Sequence, residues 1–341
     1  MTFIYFILIL GITVLIHELG HFIFAKKAGI HCYEFSIGMG PIIKKWKRKN
    51  DETDYCLRLF PIGGYVAMAG EQIDDDDKVP AKKRLYNKTW GQRFMVIVAG
   101  VMMNFILAIT IFFILGLTNG TQSKHAYIGM LDEKMPAFDS GLQVGDKIKE
   151  LNGSSVDADM LQLKILVREG KEIKLTVEHK NGKDEVIKLK PVKTKEGYKF
   201  GFGLELKRET GLLSSIKYAF NKTVSLLNQM IHIIFYLVTG QLAFNNLSGP
   251  IGIYEAVGVT AKAGFASLVY LLGYISLNVG FMNLLPIPAF DGGRLLFLII
   301  EKFKGSPVSA KVENTIHAIG MIFLLGLMVI ITFNDILRIF F

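Results

Sequence analysis

The chain has 341 residues, of which 51% are hydrophobic and 20% charged, with a formal net charge of +9. Ordinary globular chains carry about 25% charged residues, so this one is too apolar for a typical soluble enzyme or for a disordered, collagen-like or nucleic-acid-tail class. Two cysteines, Cys32 and Cys56, are too few for a disulfide scaffold.

Gaps between charged residues divide the chain. From Thr2 to Ala25 only His17, Glu18 and His21 interrupt an apolar run. No basic stretch precedes it and no A-x-A-like site follows, so it reads as a membrane span and not as a cleaved signal peptide. Residues 94–118, 263–290 and 314–334 are three further charge-free stretches long enough to cross. The fold class expected is therefore a multi-pass α-helical membrane protein with about four transmembrane helices. Residues 25–93 carry 14 Lys and Arg, with Lys26, Lys27, Lys88 and Arg93 at the membrane ends. The positive-inside rule makes this loop cytoplasmic and puts both termini and residues 119–222 outside. The acidic run Asp74 to Asp77 reads as a solvated loop.

Residues 119–207 change texture. Gly145-Asp146 and Asn152-Gly153 are turn signals around a short alternating strand, and 171–178 and 185–190 alternate about Lys180-Asn181-Gly182-Lys183 as a hairpin. The stretch Ser140-Gly141-Leu142-Gln143-Val144-Gly145-Asp146 resembles the core of a bacterial PDZ domain. That resemblance implies a peptide- or C-terminus-binding fold that works by strand addition; the span count places this insert outside, and Tyr127-Ile128-Gly129 is the candidate ligand loop. The next segment, Val224 to Val238, is only 15 residues long and is punctuated by Asn228, Gln229 and His232, and fits an interfacial helix that does not cross. The domains expected are 1–118, 119–207 (PDZ), 208–262 (interfacial helix and linker) and 263–341.

The chemistry lies in the first span. In His17-Glu18-Leu19-Gly20-His21 the two histidines are four apart, so on a helix both aim a ring nitrogen at one zinc ion, and Glu18 stands beside them to take a proton from water. Ionisable groups at membrane depth are costly, roughly 2.5–3.5 kcal/mol each on insertion scales, which favours a functional reading. Catalytic zinc needs a third protein ligand and an open position. Asp291, the only carboxylate closing the third span, is the candidate; Pro286 and Pro288 just before it break the helix. Counting spans brings Asp291 to the cytoplasmic side with His17 and His21, provided that 224–238 does not cross. His31, His125, His179, His232 and His317 lack a partner at helical spacing and read as structural or exposed.

Three features together resemble the site-2 protease family of intramembrane zinc metalloproteases, in its bacterial sigma-factor-regulating branch: His-Glu-x-x-His, Asn283-x-x-Pro286-x-Pro288-x-x-Asp291-Gly292-Gly293, and the PDZ insert. The resemblance implies one Zn2+ on His17, His21 and Asp291, with Glu18 as catalytic base and Asn283, Pro286 and Pro288 meeting the substrate. Tyr55 to Met68 is similar to that family's membrane-associated β-hairpin, whose Gly63, Gly64 and Tyr65 are implied to pair with an unwinding substrate. Implied partners are single-pass membrane proteins, such as anti-sigma factors or remnant signal peptides, an upstream site-1-type protease and the lipid bilayer, but no nucleic acid. The implied place is the bacterial cell membrane, with the active site toward the cytoplasm. The sequence departs from the best-known members in having room for one PDZ domain and not two. The rival reading is a non-catalytic PDZ-bearing scaffold, which predicts no bound metal.

Overall fold

A computed structural model describes residues 1–71, 79–168, 170–194, 197–205, 208–243 and 247–340; the acidic run at 74–77 lies outside the described residues. The chain divides into two compact units, residues 1–108 with 245–341, and residues 109–244.

The first unit opens with α1 (Thr2–Lys27), whose last turn carries Lys26 and Lys27, cations suited to the negative end of a helix. Strands β1 (Cys32–Lys47) and β2 (Asp54–Met68) follow and pair antiparallel. The stretch read from sequence as a hairpin, Tyr55 to Met68, supplies only one strand; its partner is Cys32–Lys47. The strands are bent and pair more than once, with Phe35 opposite both Val66 and Tyr55, and Trp46 opposite Tyr55 again. The end of β2 follows α1 closely. Pro61 backs onto Gly11, and the Val66 N–H donates to Glu18 Oε2 at 3.2 Å. Ala25, Cys32, Phe35, Val66 and Met68 bury a shared core with Val96 of α2 (Trp90–Asn119).

The second unit takes in the last turns of α2 and a β-rich domain. Its elements are β3 (Thr121–Gln122), β4 (Ala126–Leu131), β5 (Lys147–Leu151), β6 (Ser154–Ser155), α3 (Ala158–Val167), β7 (Ile173–Glu178), β8 (Asp184–Leu189), β9 (Val192–Thr194), β10 (Gly197–Lys199), β11 (Phe202–Glu205), β12 (Arg208–Glu209) and α4 (Leu212–Val238). The main sheet has the order β11-β4-β5-β7-β8, and β6 pairs β5. Ile128, Ile148, Leu151, Leu161, Ile173 and Leu175 fill its core, as alternating strands with one buried face require. The expected turn at 180–183 joins β7 to β8, where the His179 N–H donates to Lys183 O at 2.9 Å. The expected ligand loop does not hold. Tyr127 lies in β4 and is paired on both sides, with Glu205 and with Lys147, so its backbone has no free edge to offer a peptide. The domain also runs past 207, since β12 pairs with β3.

Helix α4 starts twelve residues before the apolar stretch that announced it and groups with the β-rich domain. Lys222 Nζ donates to Asp159 Oδ1 at 2.7 Å, and Ser225 Oγ donates to Asp157 Oδ2 at 2.6 Å. Its other face leaves Leu213, Phe220, Val224, Ile231 and Phe235 exposed, an apolar stripe at helical spacing.

The chain returns to the first unit with α5 (Pro250–Lys262), α6 (Phe265–Leu284), α7 (Asp291–Lys304) and α8 (Ala310–Phe340). Helix α6 stops six residues short of the charge-free stretch because Leu285, before Pro286, is extended at ψ 141°. Among the described residues four helices are long and apolar enough to cross a membrane: α1, α2, α6 and the 311–338 part of α8. Helix α4 is not one of them.

Candidate metal centre

Helical periodicity places His17 and His21 on one face of α1, and both are buried. The third group arrives from the start of α7, where Asp291 is the first helical residue. His17 Nε2 lies 3.0 Å and His21 Nε2 3.2 Å from Asp291 Oδ2, and the two ring nitrogens are 3.2 Å apart. Among the described residues this is the one cluster of three such groups able to hold a metal ion.

A tetrahedral zinc with bonds of about 2.0–2.1 Å separates its donors by about 3.3 Å, so the triangle has the right edges. The donor set fits as well. Asp291 Oδ2 is buried and, among the described residues, is approached only by the two imidazole nitrogens, as expected of an oxygen reserved for a cation. His21 Nδ1 lies 2.8 Å from the Val96 carbonyl; donating there leaves Nε2 free to ligate. Helix α2 also leaves room, since Gly100 stands against both imidazoles where any side chain would intrude.

A cavity of about 140 Å³ surrounds the cluster, lined in part by Glu18, Val66, Met68, Glu71, Phe290 and Arg294. Four of the residues singled out in the sequence, His17, Glu18, His21 and Asp291, thus converge on one space. Asn283, Pro286, Pro288, Gly63, Gly64 and Tyr65 are not in its lining. Gly63 rests near Val14, Gly64 pairs with Ile37, and the Tyr65 hydroxyl accepts from Arg58. The sequence reading missed the ion pair of Glu71 with Arg294 in the wall of the cavity. Arg294 had a signal, since it stands three residues after Asp291 on a helix and so shares its face.

A family model described as Peptidase family M50 matches residues 5–327. The chain belongs to this family. Among the M50 relatives, Zinc metalloprotease RasP of Bacillus licheniformis is 35% identical over 424 residues, covering 99% of each chain. Regulator of sigma-W protease RasP of Bacillus subtilis is 34% identical over 420 residues, also covering 99% of each. Both alignments are longer than this chain's 341 residues, so both relatives carry sequence with no counterpart here. A chain from Fusobacterium nucleatum aligns over 347 residues at 36% identity, covering 100% of both. Among solved structures, the PDZ domain of the SdrC-like protein from Listeria monocytogenes is 23% identical, with a TM-score of 0.21, over 24% of this M50 chain and 88% of that chain.

Proposed function

We propose that this chain is a zinc-dependent endopeptidase that cuts single-pass membrane proteins within their membrane-spanning segment. The observation that carries the reading is that His17 Nε2 and His21 Nε2, on a helix apolar enough to span and flanking Glu18, lie within 3.2 Å of each other and of Asp291 Oδ2. Zinc held there would lower the pKa of a water toward about 7 and polarise the scissile carbonyl. Glu18 takes the proton of the attacking water and passes it to the leaving amine. The Val66 N–H, bonded to Glu18 Oε2, orients that carboxylate, and the Val96 carbonyl fixes the tautomer of His21.

Residues 60–68 of β2 pair with β1 on one side, and their other edge runs beside α1 toward Glu18. An incoming substrate strand would add along this edge, bound by backbone hydrogen bonds. A helical amide is already hydrogen-bonded and cannot add to an edge, so the substrate must unwind first. Weak helix formers such as Gly or Pro in mid-membrane favour cleavage. Asn283 at the end of α6 and Pro286 and Pro288 in the break after it then meet the substrate, with Gly63, Gly64 and Tyr65 from β2.

The basic 25–93 segment supports a cytoplasmic face for the zinc end of α1, with both termini and the β-rich domain outside the cell membrane. That domain acts as a PDZ module, and the apolar stripe of α4 lies in the bilayer interface. The name of the B. subtilis relative ties it to sigma-W, which favours anti-sigma factors as substrates here, trimmed beforehand by another protease. Metal analysis of the purified chain tests the reading. One zinc per chain is expected, lost in His21→Ala, and Glu18→Gln keeps zinc but does not cut a single-pass reporter. A metal-free wild type, or turnover by Glu18→Gln, refutes it.

A further inference from the structure

Two of the three candidate zinc ligands sit inside a regular helix, but Asp291 follows an irregular stretch, residues 285–290. Any freedom in that stretch is freedom of the third ligand. The backbone there has few tethers. Pro286 and Pro288 have no N–H. The N–H of Ile287 bonds to Leu285 O at 2.7 Å and that of Phe290 to Ile287 O at 3.2 Å, both within the loop. The Ala289 N–H instead reaches out to α8 and donates to His317 Nδ1 at 2.9 Å.

Ala289 has φ +81°, a left-handed conformation that a residue with a Cβ holds only where its surroundings enforce it. Helix α8 provides those surroundings. His317 and Gly320 are one turn apart on the same face. A Cβ on Gly320 would lie 2.5 Å from Pro288 Cβ, so the loop is seated directly on the helix backbone. The Phe297 ring of α7 flanks the imidazole, with centroids 5.7 Å apart. Because Nδ1 accepts, the ring proton is on Nε2, which makes no hydrogen bond among the described residues.

We propose that His317 is a positioning residue of the metal centre. By accepting the Ala289 N–H it holds the left-handed turn that aims the Asp291 carboxylate at His17 and His21. The inference rests on the zinc-endopeptidase reading above.

The test uses the full-length chain in detergent and follows zinc release to a chromogenic chelator, together with kcat and KM on a single-pass reporter. His317→Leu removes the acceptor. His317→Asn keeps one, because its Oδ1 stands where Nδ1 stood. Loss of a group that supports a metal ligand costs about 10- to 100-fold in metal affinity or activity. Zinc release from His317→Leu is therefore expected to be at least about tenfold faster, with kcat lowered and KM unchanged, and His317→Asn is expected to restore both. Should His317→Leu not fold, His317→Gln replaces it, since its longer side chain carries the acceptor past Ala289. Wild-type zinc release from the Leu or Gln variant, or an Asn variant as leaky as that one, overturns the role of His317. A wild-type chain that holds no zinc refutes instead the reading on which it rests.

Discussion

A Cβ placed on Gly100 would lie 2.4 Å from His21 Nε2 and 2.7 Å from His17 Cε1, so α2 meets the metal centre at a residue with no side chain to spare. Backbone on one side and two imidazole rings on the other leave no flexible neighbour to give way. Gly100→Ala is expected to turn the imidazoles away from Asp291 and lower zinc affinity by at least about tenfold. Gly91→Ala, in the same helix with nothing within 4 Å of its Cβ, is the control and should keep full zinc. Metal analysis of the two variants decides the matter; a Gly100→Ala chain with one tightly held zinc contradicts the geometry.

His179 lies between two carboxylates, its Nδ1 2.9 Å from Asp146 Oδ1 and its Nε2 2.9 Å from Glu185 Oε2. The hydrogen bond to Glu185, then that to Asp146, raises its pKa above the ordinary histidine value. A group whose pKa is higher in the folded state adds stability that is fully present below its unfolded pKa, about 6.5 for histidine, and is lost as pH rises through the folded value. The second unit should therefore soften as pH climbs above about 6.5. The part owed to Glu185 should not exceed about 1 kcal/mol, because Glu185 is more than half exposed and its charge is screened. Pulse proteolysis between pH 6 and 9 reads the slope, which His179→Gln is expected to flatten; an unchanged slope in that variant removes His179 as the cause.

Asp157 serves two elements at once, and its removal should cost more than the loss of either contact alone. Its Oδ1 accepts from the Met160 N–H as the cap of α3, and its Oδ2 accepts from Ser225 on α4. Loss of a helix cap costs about 1 kcal/mol. Asp157→Ala should exceed that figure, whereas Ser225→Ala, which leaves the cap in place, should fall below it. Hydrogen exchange along α4 checks the contact with Ser225. Faster exchange is expected in both variants, and protection equal to wild type in Ser225→Ala means that α4 is held without this contact.

What could be read in the sequence was local chemistry. His17 and His21 are legible because candidate ligands four apart on a helix carry a spacing, and Asp291 because it is the lone carboxylate beside two helix-breaking prolines. The supports of the site have no such signature. His317 lies 28 residues from Ala289 and looks like any isolated histidine until α8 folds back on the loop. Gly100 looks like a helix-weakening glycine until His17 and His21 face it. Helix α4 was underestimated for a related reason. Counting apolar residues finds 224–238, but the helix begins at Leu212, where the charge of Lys222, which the count excludes, is paired with Asp159 of α3. Strand β1 was missed as the partner of β2 because pairing depends on a register set in three dimensions.

Asp335 shows the same kind of long-range support and gives a prediction that separates folding from catalysis. It lies in the spanning part of α8 yet is only 1% exposed, which demands a partner for its carboxylate. Arg338 Nη2 donates to its Oδ1 at 3.4 Å, and at the start of α5, 86 residues away, the N–H groups of Gly249 and Gly252 donate to Asp335 Oδ2 at 2.9 and 2.8 Å. A carboxylate at a helix N-terminus satisfies donors that have no partner within the helix and complements the helix dipole. Asp335→Ala strands both N–H groups in a buried setting, at a cost on the order of 2 kcal/mol. Asp335→Asn keeps an accepting oxygen but loses the charge, so its cost should be smaller. Neither Asp335 nor the two glycines it caps line the metal cavity, so zinc content should stay at the wild-type level in both variants while thermal stability falls in the order wild type, Asn, Ala. An Ala variant as stable as wild type would mean that water reaches the start of α5, and loss of zinc from an intact Asn variant would mean that α5 and α8 bear on the metal centre after all.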